Sequence, residues 1–316
     1  MQLSKKSKIF IAGHIGMVGS SIVRHFKKKG YKNLILINRK NLDLIDQKKT
    51  YLFIKKKKPD FVIIAAAKVG GISVNSEQKA KFIYENIMIQ TNLIHSSFLV
   101  GVKKLIFLGS SCIYPKHSKQ PIKEEYLMTG KLEETNDSYA VAKIAGFKMC
   151  ESYNQQYKTN YICLMPTNLY GPNDNYNLKT SHFFPALIAK THLATKKNAK
   201  KIKIWGDGTP KRELMYVDDL ADACEFFLKK KTKHSLINIG SGEEKTIENF
   251  AKYIMKKFNT KMKIKFDKKK PNGTPRKVVD TTLAQRYGWK SKFDLDQGFE
   301  LTLKDFLKKT VKSKKK

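Results

Sequence analysis

Five short apolar runs recur through the first half of the chain, and segments with helical periodicity separate them. KIFIAG (8–13), NLILIN (33–38), FVIIAAA (61–67), KLIFLG (104–109) and YICLMP (161–166) read as buried strands. MVGSSIVRHFKKKG (17–30), a short stretch at 47–57, residues 77–100 and residues 138–157 have helical spacing, with Gly30 as the first helix's stop. Strand and helix in unbroken alternation lead to a parallel sheet with helices on both faces. The expected class is α/β, a doubly wound parallel sheet.

After about residue 170 this rhythm loosens. PNDNYNLKTSH (172–182) is loop-like, and KIKIWGDGTPKRE (201–213) reads as a strand, a turn and an exposed loop. VDDLADACEFFLKK (217–230) is a helix that Asp218 or Asp219 would open. SLINIG (235–240) is a further strand, and helices are expected near 246–258 and 295–309. No Pro/Gly/Ser linker separates the parts. The expected division is a first domain at 1–170, with segments near 215–240 returning to it. A smaller C-terminal α/β lobe at 171–310 and a basic, disordered tail at 311–316 complete it.

Composition removes several classes of function. Hydrophobic residues make up 41% of the chain, enough for a core. No apolar run approaches the ~20 residues of a membrane span. The N-terminal MQLSKKSKIFIAGHIG lacks a small-residue cleavage pattern and reads as a first strand, not a signal peptide. Cys112, Cys150, Cys163 and Cys224 form no C-x-x-C pair and no zinc-type cluster, so free thiols in a reducing cytoplasm and no metal are expected. The net charge of +36 invites a nucleic-acid reading. However, 58 of the 63 basic residues are lysine, arginine occurs only at positions 24, 39, 212, 276 and 286, and specific phosphate and base recognition favours arginine. The lysines are expected to cover solvated faces, with no specific nucleic-acid partner.

Two motifs carry chemistry. Gly13-His14-Ile15-Gly16-Met17-Val18-Gly19 lies at the first strand–helix turn, where a dinucleotide pyrophosphate can sit on a helix N-terminus. This makes the sheet Rossmann-type. The second strand ends in Asn38-Arg39-Lys40, and Arg39 suits the extra phosphate of NADP where an acid would favour NAD. Tyr139 and Lys143 form a Y-x-x-x-K pair on one helix face. A lysine there lowers a phenol's pKa and lets it move protons near neutral pH. The pair follows a strand whose end carries Ser110 and Ser111, the end at which such sheets bind ligands. Cys112, in FLGSSCIYPK, has four roles open: buried space-filler, redox thiol, metal ligand or proton carrier.

Taken together, these stretches resemble the extended short-chain dehydrogenase/reductase family of nucleotide-sugar enzymes. Within that family they look like the epimerase-reductases acting on GDP-4-keto-6-deoxy-D-mannose. The matching stretches are IAGHIGMVGSSIVR, AAAKVGGI, FLGSSCIYPK, NDSYAVAKIAGFKMCESYN, MPTNLYGPNDN, WGDGTPKRE, YVDDLADA and PNGTPRKVVD, between residues 9 and 280. SSCIYPK and the pair Ser181-His182 are the most specific.

The resemblance implies inversion of C3 and C5 of the ketosugar, then NADPH-dependent reduction of C4 to give GDP-L-fucose. It implies Cys112 as base and His182 as acid. Tyr139 would protonate the C4 oxygen, Lys143 would hold the nicotinamide ribose and tune Tyr139, and Ser110 would bond the ketone or enolate oxygen. For NADP it implies Gly13, His14, Ile15, Gly16, Met17, Val18, Gly19, Arg39, Leu108, Gly109, Ser110, Ser111, Lys143, Pro166, Thr167, Asn168, Leu169 and His182. For the sugar nucleotide it implies Lys190, Trp205, Arg212 and Asp280, with the C-terminal lobe as the substrate-binding part. The family's loop more usually reads GHRG, so Ile15 removes a cation that helps select NADP, while Arg39 remains. Residues 77–100 and 139–157 resemble helices that build a four-helix homodimer interface. Phe82, Ile83, Ile87 and Phe147 would serve that interface or the monomer core.

Overall fold

The computed structural model of the chain describes residues 2–270 and 272–312. Its first half runs β1 (Ile9–Ala12), α1 (Met17–Lys28), β2 (Leu34–Ile35), α2 (Gln47–Lys57), β3 (Phe61–Ile64), α3 (Ile72–Glu77), α4 (Lys79–Leu99), β4 (Lys104–Leu108), α5 (Asp137–Tyr157) and β5 (Tyr161–Pro166). The second half runs β6 (Asn168–Tyr170), α6 (Phe183–Lys196), β7 (Lys201–Trp205), β8 (Lys211–Tyr216), α7 (Val217–Lys229), β9 (Leu236–Ile239), β10 (Glu244–Thr246), α8 (Ile247–Lys257), β11 (Lys263–Asp267), β12 (Arg276–Lys277), α9 (Thr282–Tyr287) and α10 (Leu295–Lys312).

The central sheet has the order β2-β1-β3-β4-β5-β9, and every pair in it is parallel. β1, β3, β4, β5 and β9 are buried along their whole lengths, which explains why they read as continuous apolar runs and not as alternating ones. Phe26 of α1 and Phe227 of α7 enter the core on one face. Leu93 of α4 and Phe147 of α5 enter it on the other. Burying a side chain of this size contributes about 1.5–3 kcal/mol. The order reverses beside β1, with β2 on one side and β3 on the other, so a crevice opens at the C-terminal ends of β1 and β3. Outside the central sheet, the strands form β10-β8-β12 with β6 on β8, and a separate β11-β7 pair.

Several elements depart from the sequence expectations. The long helix expected at 77–100 is α4, and a short helix that was not expected, α3, precedes it, set apart by Gln78, which leaves helical geometry (φ −119°, ψ 35°). The second strand pairs with β1 only at Leu34 and Ile35. Residues 211–213 are not an exposed loop. They begin β8, where the fully buried Glu213 carboxylate accepts from Gly242 N (2.8 Å) and Val279 N (2.9 Å). Neither Asp218 nor Asp219 caps α7, whose N-cap is Tyr216. Asp218 instead pairs with Arg24 (3.0 Å), and Asp219 accepts from Lys292 N and Phe293 N. Of the tail expected at 311–316, Val311 and Lys312 end α10, and residues 313–316 lie outside the described residues. β6 had no apolar signature of its own.

α4 carries an unusual load of buried polar groups: Glu85, Asn86, Gln90, Asn92, Ser96 and Ser97. Asn86 closes on both backbone groups of Lys68 (2.9 and 3.0 Å). Asn92 donates to the carbonyls of Leu44 and Ile45, both at 2.9 Å, and Gln90 donates to the Ala142 carbonyl on α5. Phe82 and Phe147 belong to the monomer interior, while Ile83 and Ile87 are half-buried. No helix of the described residues is long and apolar enough to cross a membrane.

Candidate active site

The glycine loop joins β1 to α1 in the crevice. Gly13 has φ +82°, and a Cβ there would lie 2.6 Å from Ala66 N. A Cβ on Gly19 would lie 2.1 Å from the Gly13 carbonyl, so α1 can seat against the loop only without a side chain at that position. Gly16 is the N-cap and makes no side-chain cap bond, and the first turn of α1 holds no acid. Nδ1 of His14 is buried beside the loop without a hydrogen-bond partner. This cradle fits a dinucleotide pyrophosphate. Met17 and Val18 form the helix's first turn, and Val18 packs on the core. Ile15 is 65% exposed. Arg39 stands at the same end of the sheet, its guanidinium held by Asp43 (3.2 Å) and Glu85 (3.4 Å).

The side chains expected to react gather where β4 ends. Leu108 closes the strand, Gly109 leaves room for Met165, and Ser110 accepts from Cys112 N (3.3 Å) at the start of a short 3-10 turn, Ser111–Ile113. Ser111 is buried. Across from this turn, α5 presents Tyr139 and Lys143. Lys143 does not bond the phenol. Its ammonium donates to the Leu108 carbonyl (2.8 Å) and lies 5.9 Å from the centre of the Tyr139 ring. Burial moves the two groups in opposite directions. It raises the Tyr139 phenol well above its ordinary value, with the charge of Cys112 adding to that and a Ser110 hydrogen bond opposing it. It lowers Lys143 to about 8. Tyr139 is therefore a full proton donor at neutral pH, which corrects the expectation of a lysine-lowered phenol.

Cys112 is the one cysteine that is not fully buried. Burial works to raise its pKa, but the Lys277 ammonium, a hydrogen bond with Ser110 and the charge of Arg212 outweigh it, so the thiol sits below its ordinary value. Lys277 Nζ is 3.4 Å from Cys112 Sγ. His182 is the N-cap of α6 and keeps an exposed edge. The protein around it, and then Lys277, lower its imidazole. Its loop is fixed by Gly71, which donates to the Thr180 carbonyl (3.0 Å) and has no room for a Cβ beside Ser181 O.

Pro166 ends β5. The side chains of Thr167 and Asn168 both donate to the Glu213 carbonyl, and Leu169 packs on the core. Lys190 lies 5.6 Å from the Trp205 ring centre and donates to the Lys203 carbonyl. Burial lowers the Lys190 ammonium. Arg212, lowered to about 10 by burial, donates to Asn272 O (3.3 Å), and the Asn272 side chain in turn accepts from Asp207 N. Arg212 and the Lys190–Trp205 pair thus share one loop region. Asp280 is bonded to Thr282 N instead (2.7 Å). Among the described residues, no group of three or more His, Cys, Asp or Glu side chains could hold a metal ion.

Sequence reasoning assigned no role to Lys277, Glu213 or Gly71. Lys277, Glu213 and Gly71 stood inside the quoted stretches PNGTPRKVVD, WGDGTPKRE and AAAKVGGI, but one lysine among 58 has no signal of its own.

Comparison with known proteins agrees with this geometry. The profile of the NAD dependent epimerase/dehydratase family matches residues 9–240. GDP-L-fucose synthase 1 of Arabidopsis thaliana is 48% identical over 304 residues, covering 96% of this chain and 94% of that protein. The crystal structure of a GDP-L-fucose synthetase from Naegleria fowleri bound to NADP superposes with a TM-score of 0.90 at 27% identity, covering 98% of this chain and 96% of that one. A GDP-6-OMe-4-keto-L-xylo-heptose reductase from C. jejuni superposes with a TM-score of 0.91 at 36% identity, covering 98% of this chain and all of that one. By profile, by identity and by fold, the chain belongs to the NAD dependent epimerase/dehydratase family.

Proposed function

We propose that the chain converts GDP-4-keto-6-deoxy-D-mannose to GDP-L-fucose, by epimerisation at C3 and C5 followed by reduction at C4. The observation that carries this reading is a thiol of lowered pKa facing the same cleft as a Ser110–Tyr139 pair: two sets of proton-moving groups for two kinds of step. The ketone acidifies the neighbouring C–H bonds. Cys112 takes the proton, and His182 returns one to the opposite face. Ser110 donates to the C4 oxygen as charge builds there. Tyr139 gives that oxygen its proton in the reduction, for which NADPH supplies the hydride. The glycine loop, Arg39, the Leu108–Ser111 turn, Lys143 and the Pro166–Leu169 segment would hold the cofactor. Lys190, Trp205, Arg212 and Asp280 would hold the sugar nucleotide on the C-terminal lobe. A homodimer through α4 and α5 is supported by Tyr84, Leu99, Val141 and Tyr157, each at least 43% exposed on this helix pair. Sedimentation as a monomer at micromolar concentration would refute it. The four unpaired cysteines support a reducing, cytoplasmic setting.

The test mixes purified protein, NADPH and the ketosugar nucleotide, follows NADPH absorbance and identifies the product. Oxidation with GDP-L-fucose as product is expected. The structural likeness to a 4-keto sugar reductase favours a second reading, reduction without epimerisation. Oxidation with no solvent deuterium at C3 or C5 would select that one.

The two halves are expected to differ in pH dependence. Exchange at C3 and C5 requires ionised Cys112 and protonated His182, and its bell is centred midway between their pKa values. Both are lowered, so the centre falls below the ~7.5 of an unperturbed cysteine–histidine pair. Reduction uses Tyr139, which keeps its proton, and is lost only as Lys143 loses its charge above about 8. Coincident profiles for exchange and reduction would overturn this assignment.

A further inference from the structure

We propose that Lys277 is the positioning residue of the epimerisation pair: its ammonium holds Cys112 in the thiolate form that accepts the sugar's proton. The claim that this thiolate serves epimerisation rests on the function proposed above. The contact between Lys277 and Cys112 does not.

Lys277 stands apart from the other lysines in its setting. Among the described residues most lysines are solvent-facing, and many pair with a carboxylate, as Lys103 does with Asp60 or Lys292 with Asp222. Among the described residues no carboxylate lies within ion-pair distance of Lys277, and the hydrogen bond its ammonium makes goes to Cys112 Sγ (3.4 Å). The backbone around it is tied at every step. Lys277 pairs with Arg212 in the β12–β8 register. Val278 N donates to the Gln120 side chain (3.1 Å), and its carbonyl accepts from Ile122 N (2.8 Å). Val279 N donates to the buried Glu213 carboxylate (2.9 Å). A two-residue strand has little stability of its own, so this bracing is what aims a flexible lysine at one sulfur.

The charged and titratable groups acting on Cys112 from further elements are Tyr139 of α5 and Arg212 of β8, and His182 at the start of α6 is linked to it through Lys277. Tyr139 is neutral at working pH. Arg212 is engaged by Asn272 O and the Lys211 carbonyl, and its charge is also felt by Glu133. Lys277 is the cation in contact with the sulfur, and it also acts on His182. One ammonium therefore serves both partners: it stabilises the base as an anion and makes the protonated imidazole a readier donor. When Cys112 takes a proton from carbon, the thiol forms and the sugar's electrons move to the C4 oxygen. When His182 gives its proton to the opposite face, the imidazole is left neutral.

The test reads the thiol directly. Cys150, Cys163 and Cys224 are buried, so iodoacetamide reports on Cys112. In wild type, the alkylation rate is expected to rise with a midpoint below the ~8.5 of a free cysteine. In Lys277→Met the midpoint moves up by about one unit, slowing alkylation at neutral pH about tenfold. Lys277→Arg keeps the wild-type midpoint. With substrate, removal of Lys277 frees both Cys112 and His182 to higher pKa values, so the whole pH bell for C3/C5 deuterium exchange moves to higher pH. A merely structural loss would lower the bell without moving it. An unshifted alkylation midpoint in a folded Lys277→Met protein overturns the proposal. Should that variant not fold, a wild-type midpoint at or above the free-cysteine value overturns it equally. A shifted midpoint in a protein whose wild type exchanges no deuterium would sustain the Lys277–Cys112 coupling and refute the epimerase reading alone.

Discussion

Cys112→Ser is expected to lower solvent-deuterium exchange at C3 and C5 by about 10²–10⁴, the usual contribution of a positioned base. A serine hydroxyl occupies nearly the same space but does not ionise near neutral pH, whatever cation stands beside it. Lys277 therefore cannot rescue it. The 3-10 turn should survive the change, because it is held through Cys112 N and Ser110, not through the sulfur. NADPH binding should survive as well, since the glycine cradle lies on other elements. Reduction of a sugar supplied already epimerised should then continue near the wild-type rate. The decisive measurement is deuterium content by mass spectrometry beside the NADPH oxidation rate. Wild-type exchange in Cys112→Ser would remove the base from this position.

Tyr139→Phe is the complementary case. It deletes one hydroxyl from a partly buried ring whose packing, edge-on to Phe82 at 6.4 Å, needs only carbon. The fold and the cofactor site should persist. Reduction is expected to fall by about 10²–10⁴, since the C4 oxygen loses its proton donor. Exchange at C3 and C5 should fall much less, because Ser110 still faces that oxygen. The two variants together separate the half-reactions: one consumes NADPH without exchanging hydrogen, and the other exchanges hydrogen without consuming NADPH. Equal loss of both activities in Tyr139→Phe would mean that the phenol serves enolisation as well as reduction.

Much of this was legible in the residues, and the gaps have a common physical cause. The buried strands of the central sheet announce themselves because both faces are covered, so each is apolar throughout. The glycine loop is readable because its chemistry is local: two glycines allow two backbones to meet. Tyr139 and Lys143 share a helix face by spacing alone. β6 and β8 were missed or misread because each opens on polar residues, Asn168 in β6 and Lys211-Arg212-Glu213 in β8, and they pair with each other. Asp218 and Asp219 resembled a helix cap, yet their partners, Arg24 and Lys292, lie far along the chain. Lys277 was invisible for the same reason. What makes it unusual is the sulfur it meets, 165 residues away in sequence.

The polar stitching of α4 bears on how the molecule comes apart. Asn86, Gln90 and Asn92 reach beyond their own helix to backbone groups of the 68 loop, of α5 and of the 44–45 turn. Packed on the sheet without those partners, this helix would bury unpaired amides, each costing about 1–3 kcal/mol. It therefore gains little by forming before the sheet assembles or by persisting after the sheet is lost. Its amide hydrogens should exchange with solvent only through opening of the entire central sheet, at the same free energy as those of β3 and β4. The α4 helix acts as a lock on cooperativity, leaving the region behind the catalytic cleft without a partly unfolded form for proteases to find.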